Sequence, residues 1–140
     1  MQIRDVMTSQ VSMVKPDTNV SEIAMKMRDE DIGSLPVTDG DKLIGMVTDR
    51  DIVTRGLAQS ADMSRVRAQD VMSPKVLYCM EDESVADVLE NMREEQIRRL
   101  PVVNREKRLV GVVSLGDLSQ AEKHRSGDAL AGISKPAQEH

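Results

Sequence analysis

Apolar residues recur at helical spacing in two separate segments of the chain. Both segments carry apolar residues at positions i, i+3, i+4 and i+7: Val20, Ile23, Ala24 and Met27 in one, Val85, Val88, Leu89 and Met92 in the other. Such positions share one face of an α-helix, so each segment predicts an amphipathic helix. The spacings Asn19-x-x-Glu22 and Ser84-x-x-Asp87 precede the apolar faces and resemble capping boxes, which mark helix starts.

Short apolar runs follow each predicted helix. "LPVT" and "KLIGMV" are separated by 39–41, and "LPVV" and "RLVGVV" by 104–107, which reads as a strand pair joined by a turn. A short strand is predicted before each helix, at 11–14 and 76–79. A second helix is predicted to open at Asp51 and at Asp117. Each half therefore has the order strand–helix–strand–strand–helix.

The two halves are copies of each other. "DVMTSQ" begins at Asp5 and "DVMSPK" at Asp70, 65 residues later, and an extra residue near Glu106 shifts the offset to 66. The predicted boundaries are a first repeat at 1–60, a linker at 61–68, a second repeat at 69–125 and a loosely ordered C-terminal tail at 126–140. Neither copy can bury its sheet alone, so we expect the two to pack together.

Composition excludes several classes of function. The net charge is −5 and Tyr78 is the one aromatic residue, which argues against nucleic-acid binding. Cys79 is the one cysteine, so it forms no internal disulfide and no metal site, and a reducing, cytoplasmic setting is expected. No apolar run approaches the roughly 20 residues of a membrane span. His124 and His140 have no nucleophile at a recognisable spacing, so we expect no enzyme.

The stretch Thr48-x-x-Asp51 and its counterpart Ser114-x-x-Asp117 allow two readings. In the first, the hydroxyl caps a helix and the carboxylate complements the helix dipole. In the second, the same groups hold a ligand: the first N–H groups of a helix attract an anion, and a carboxylate accepts hydrogen bonds from both hydroxyls of a ribose. Gly45 and Gly111, three residues earlier, are interpreted as leaving room for that ligand.

The duplicated pattern, "DVM" followed by "LPV" and by "G-x-V-T/S-x-x-D", resembles the tandem cystathionine-β-synthase (CBS) domain pair, or Bateman module. The resemblance covers roughly 3–122, and the "TDRDIVTRGLA" segment is similar to stand-alone bacterial members. It implies an α+β fold of two intertwined βαββα repeats, packed through their sheets with pseudo-two-fold symmetry. It also implies homodimers and energy-sensing regulation without catalysis. The implied ligands are AMP, ADP or ATP, with S-adenosylmethionine or NAD(H) as further options, bound in clefts between the repeats.

The resemblance also implies two ligand sites. Site two consists of Ser114, Asp117, Arg99 and Arg98, with a lining of Thr8, Ser12 and Ile32. Site one consists of Thr48, Asp51 and Arg50, with a lining of Ser73, Leu77 and Ile97. Arginine suits phosphate because its planar fork donates twice. Site one has no base before its "LPV" run, so it either takes a less charged adenosine compound or stays empty.

The alternative is a module that binds no ligand. In that reading the chain dimerises and docks onto a partner protein, and both T/S-x-x-D motifs serve only as helix caps. Both readings need an effector protein, which no residue identifies.

Overall fold

The computed structural model describes residues 1–60 and 62–134, with side chains described as far as residue 124. The helices are α1 (Val20–Glu30), α2 (Asp49–Asp51), α3 (Ala68–Val71), α4 (Val85–Glu95) and α5 (Leu115–Ser134). The strands are β1 (Ser34–Asp39), β2 (Lys42–Thr48), β3 (Cys79–Met80), β4 (Arg99–Val103) and β5 (Leu109–Ser114). Helix α2 continues directly into a π-helical segment, Ile52–Leu57. The predicted mixture of helices and small sheets is confirmed.

The two amphipathic helices begin where the sequence predicts. The Asn19 side chain accepts a hydrogen bond from Ser21 N (2.8 Å) at the start of α1. The Ser84 hydroxyl accepts one from Asp87 N (3.1 Å) at the start of α4. Each helix buries its predicted apolar face, except that Ala24 is exposed.

The chain forms two compact units, and each unit contains parts of both repeats. Unit 1 consists of Met1–Ser9, Tyr78–Asn104 and the described residues from Val110 onward. Unit 2 consists of Gln10–Leu77 and Arg105–Leu109. The start of the first repeat thus completes the unit that holds most of the second, as an intertwined pair requires.

Unit 1 is built around a three-stranded sheet in the order β3-β4-β5, with β3 parallel to β4. Its core is made of aliphatic side chains from the sheet, from α4 and α5 and from the N-terminal segment: Ile3, Val85, Val88, Leu89, Met92, Leu100, Val102, Val113 and Leu118. The segment 1–9 is held by the sheet and the loop before α4, since Ile3 N donates to Glu83 O (2.9 Å) and Thr8 N to Val112 O (2.9 Å).

Unit 2 is built around the antiparallel hairpin β1-β2, in which Ser34 lies opposite Thr48. Gly40 has a φ of 68° in the turn, a conformation that glycine adopts without strain. The strand predicted at 11–14 is reduced to one parallel bridge, Val14 to Val37. Pro16 follows two residues later and has no N–H to extend that ladder.

The second helix of each repeat starts two residues earlier than predicted, directly after Thr48 and after Ser114. Helix α5 also continues to Ser134, into the segment predicted as a loosely ordered tail. The remainder of that tail, 135–140, lies outside the described residues, and so does His140. In the described part of the chain, no helix is long and apolar enough to cross a bilayer.

Cys79 on β3 is buried, and this burial makes the free energy of unfolding fall at alkaline pH. Burial raises the pKa of the thiol to about 12, and the Glu83 carboxylate adds to the rise. In the unfolded chain the thiol titrates near pH 8.5, so below that pH its burial does not lower the free energy of unfolding. Between about pH 8.5 and 12 the thiol ionises only in the unfolded chain. The free energy of unfolding therefore falls over this range, by at most about 1.4 kcal/mol per pH unit.

We therefore expect the free energy of unfolding to fall more steeply between pH 8.5 and 11 in the native chain than in Cys79→Val. Valine is the matched replacement because Val14 occupies the same position in the other repeat. Urea unfolding at a series of pH values measures the difference. Equal slopes in the two proteins would show that the thiol is not buried.

Candidate functional site

The Ser114 motif lies at the junction of β5 and α5 in unit 1. The Ser114 hydroxyl accepts a hydrogen bond from Asp117 N (3.0 Å), so it is a helix N-cap. Leu115 N donates to Arg98 O (2.7 Å), which ties the start of α5 to the residue before β4. Arg99 is the first residue of β4. One unit therefore brings the four proposed ribose- and phosphate-binding residues of site two to the same junction.

The charged groups at this junction are exposed and have no partners among the described residues. The Asp117 carboxylate accepts no hydrogen bond there, and neither Arg98 nor Arg99 forms an ion pair. When a ligand binds such groups, no hydrogen bond or ion pair within the described part of the protein has to break. Their placement fits a ligand role, although the cap geometry alone satisfies the simpler reading of the motif.

The Thr48 motif of unit 2 has a different hydrogen-bond pattern. Asp51 N donates to the Thr48 hydroxyl (3.1 Å), and Thr48 N donates to the Asp51 carboxylate (3.0 Å), which makes a reciprocal capping box. One carboxylate oxygen is therefore engaged by the helix itself. Arg50, the one base predicted for this site, is exposed. The N-cap interpretation of both motifs is confirmed; their ligand role stays a prediction.

The two glycines before these motifs are required by their own unit, which corrects the interpretation that they leave room for a ligand. A Cβ on Gly111 would lie 2.6 Å from Met7 Sδ and 2.9 Å from Thr8 O. A Cβ on Gly45 would lie 2.6 Å from Met72 Sδ and 3.2 Å from Ser73 O. The glycines therefore let the backbone at Thr8 pair closely with β5, and the backbone at Ser73 pair closely with β2, each through an antiparallel bridge.

We expect Gly111→Ala to lower the free energy of unfolding by about 1–3 kcal/mol, because the Thr8 carbonyl is backbone and cannot turn away as a methionine sulfur can. Gly45→Ala is the matched variant and is expected to cost less, since its carbonyl neighbour is farther away. Chemical denaturation of both variants without ligand tests this. If both variants keep native stability and only lose ligand binding, the original interpretation holds.

The predicted lining residues divide between the units. Thr8 lies in unit 1 with Ser114, whereas Ser12 and Ile32 belong to unit 2. The Ser12 hydroxyl donates to the Glu30 carboxylate within unit 2. For site one, Ser73 and Leu77 share unit 2 with Thr48, and Ile97 belongs to unit 1. The role of these residues as a lining stays a prediction.

The sequence pattern missed Asp49, the first residue of α2. Its carboxylate lies beside Gly33, with Asp49 Oδ2 3.1 Å from the place of a Cβ on that glycine. The available signal was the difference between the copies, since Leu115 occupies the equivalent position in the other repeat. Among the described residues, no group of three or more histidine, cysteine, aspartate or glutamate side chains could hold a metal ion.

Known proteins resemble this chain over nearly its whole length. Protein YlbB of Bacillus subtilis (strain 168), which is uncharacterised, is 43% identical over 137 residues, covering 95% of this chain and 91% of that protein. The structure of CBSX2 from Arabidopsis thaliana in complex with AMP matches with 25% identity and a TM-score of 0.77, covering 89% of this chain and 98% of that chain.

The CBS domain pair of protein MJ0100, in complex with 5′-methylthioadenosine and S-adenosyl-L-methionine, matches with 28% identity and a TM-score of 0.72. That match covers 87% of this chain and 99% of that one. The family model for the CBS domain matches residues 3–57 and again residues 68–124. With two matched repeats and the fold of solved CBS pairs, the chain belongs to the CBS domain family.

Proposed function

We propose that this protein is a regulatory, non-catalytic module that binds an adenosine nucleotide at the Ser114 cap of unit 1. The observation that carries the proposal is the junction of β5, α5 and β4, where a cap hydroxyl, an unengaged carboxylate and two arginines come from one unit. AMP, ADP and ATP are the proposed ligands, with S-adenosylmethionine and NAD(H) as wider members of the class.

Each group at the junction has a chemical role in this proposal. The Asp117 carboxylate accepts hydrogen bonds from both ribose hydroxyls. Helix α5 is 20 residues long, and its first N–H groups carry partial positive charge that favours phosphate. Arg98 and Arg99 supply guanidinium groups, which donate two parallel hydrogen bonds to a phosphate.

The ligands of the two solved relatives support this class. CBSX2 holds AMP, and the CBS pair of MJ0100 holds 5′-methylthioadenosine and S-adenosylmethionine. All three ligands share adenosine and differ in the group at the 5′ position. This range of ligands is accounted for by a helix cap that binds the adenosine part, with residues around the 5′ group that differ from one protein to another.

Regulation in this proposal acts on an effector protein through a homodimer in the cytoplasm. Unit 2 exposes large apolar side chains on its helical segments, among them Met25, Val53 and Leu57. Exposed apolar residues of this size are candidates for contact with a second copy or with the effector. The alternative, a ligand-independent interaction module, uses the same surfaces and leaves both caps without ligand.

Replacement of Arg99 tests the phosphate assignment. We expect Arg99→Ala to weaken AMP binding by about tenfold or more, because a charge-assisted hydrogen bond contributes about 1.5–3 kcal/mol. Binding of adenosine, which has no phosphate, is expected to stay the same. Isothermal titration calorimetry measures both, with Arg93→Ala on α4 as a control that removes an equal charge from the same unit. An equal loss for AMP and adenosine would remove Arg99 from the phosphate site.

A further inference from the structure

Thr38 on β1 is the one buried polar residue among the side chains that the structure describes. It is 1% exposed, and its hydroxyl donates a hydrogen bond to the Met13 sulfur (3.3 Å). The hydroxyl has no other hydrogen-bond partner in the described part of the chain. A thioether sulfur is a weak acceptor, so this buried hydroxyl is only weakly satisfied.

The backbone next to Met13 holds the sulfur beside that hydroxyl. Val14 forms a parallel bridge to Val37 on β1. Val14 N donates to Pro36 O (3.0 Å), and Thr38 N donates to Val14 O (2.9 Å). Met13 itself is 36% exposed, so a small solute can reach its side chain while the sulfur contacts the buried hydroxyl.

This pair of side chains belongs to the first repeat alone. The equivalent positions of the second repeat hold Tyr78 for Met13 and Val103 for Thr38, so the sulfur and the hydroxyl are both missing there. Val103 is completely buried, which shows that an apolar side chain of the same shape suits this strand position. The fold of the repeat therefore does not require the Thr38 hydroxyl, and its contact with an exposed methionine needs another explanation.

The chemistry of a methionine sulfur offers that explanation. In its reaction with hydrogen peroxide, the sulfur gives an electron pair to one peroxide oxygen and the O–O bond breaks. The proton on the transferred oxygen goes to the departing hydroxide, which leaves as water. The thioether is thereby oxidised to a sulfoxide and the peroxide is reduced. A sulfoxide is polar and disrupts an apolar core, but here a hydrogen-bond donor is already in place.

We propose that Met13 is a site of reversible oxidation by peroxide, at which the Thr38 hydroxyl holds the sulfoxide within the folded chain. The three rotatable bonds of methionine let the added oxygen reach hydrogen-bond distance from that hydroxyl. Oxidation then replaces a weak acceptor by a strong one, so it modifies the protein without unfolding it. The modification needs no nucleotide and is independent of the function proposed for the Ser114 cap.

Peroxide titration followed by peptide mass spectrometry tests the accessibility of Met13. In the folded native chain we expect Met13 to react faster than the buried Met27 and Met92 by about tenfold or more, because oxidation follows exposure. Met25 on α1 is 49% exposed and serves as the control for an exposed methionine without a threonine partner. A Met13 that stays reduced after Met25 has been oxidised overturns the proposal.

Urea unfolding before and after peroxide treatment tests the role of Thr38. The proteins are the native chain, Met13→Leu, Thr38→Val and the double variant; those with Leu at position 13 give the effect of peroxide on all other methionines. After subtraction of that effect, we expect oxidation of Met13 to lower the unfolding midpoint of Thr38→Val, which has no donor. The midpoint of the native chain is expected to stay unchanged or to rise. A lowered midpoint in the native chain, or an equal effect in both proteins, overturns the proposal.

Enzymatic reduction tests reversibility. Methionine sulfoxide reductases specific for each of the two sulfoxide epimers, with dithiothreitol as the dithiol, are expected to return Met13 of the folded protein to the thioether. The sulfoxide oxygen leaves as water, and the two thiols of dithiothreitol become a disulfide. A Met13 sulfoxide that resists both enzymes while Met25 is restored overturns the claim of a reversible site.

Discussion

Replacement of Ile3 by alanine is expected to lower the free energy of unfolding by about 2–5 kcal/mol, the range for truncating a large aliphatic side chain in a core. Ile3 is completely buried, and it belongs to the core cluster of unit 1 together with Val85 and Leu118. The segment 1–9 is the part of the first repeat that unit 1 incorporates, so the loss also tests the exchange of segments between the repeats.

Urea unfolding followed by circular dichroism measures the loss. Val53→Ala is the control, because Val53 is 55% exposed and its truncation is expected to change stability by no more than about 0.5 kcal/mol. Hydrogen exchange gives a second readout: Ile3→Ala is expected to reduce protection of Thr8 and Val112, whose backbones pair. Native stability in Ile3→Ala would contradict the placement of the N-terminal segment in the core.

Replacement of Asp117 by alanine is expected to abolish the stabilisation that AMP gives to the native chain. A ligand at 100 times its dissociation constant stabilises a folded protein by about 2.7 kcal/mol, and this increment should disappear. The physical reason is that the Asp117 carboxylate, which no described group engages, is the proposed acceptor for both ribose hydroxyls.

Asp51→Ala is the matched control for this experiment, since it removes the equivalent carboxylate from unit 2. It is expected to lower the stability of the free protein by about 0.5–2 kcal/mol through loss of the capping box, and to keep the AMP increment. An AMP increment that survives in Asp117→Ala would remove unit 1 as the nucleotide site.

Local features of the fold were predictable from the sequence because their signals are local. The apolar spacing that predicted α1 and α4 lies within those helices, and the cap residues Asn19 and Ser84 directly precede them. The joining of 1–9 to unit 1 depends on pairings such as Ile3 with Glu83, far apart in the chain, which no local period specifies. The resemblance between the repeats and a known family supplied that part of the prediction.

The candidate site was predictable to a similar degree. The spacing of Ser114 and Asp117 is local and predicted the cap that the structure contains. The reason for Gly111 was not predictable, since a glycine shows that space is needed but does not show whether Thr8 or a ligand occupies it. Asp49 became visible only when its carboxylate was placed beside Gly33.

The most direct test of the central claim, that this chain binds an adenosine nucleotide, is thermal unfolding of the native protein with and without AMP at saturating concentration. The account predicts a rise in the unfolding midpoint that grows with the logarithm of AMP concentration and corresponds to about 2.7 kcal/mol at 100 times the dissociation constant. An unchanged midpoint with AMP, and equally with ADP, ATP, S-adenosylmethionine and NADH, would contradict it.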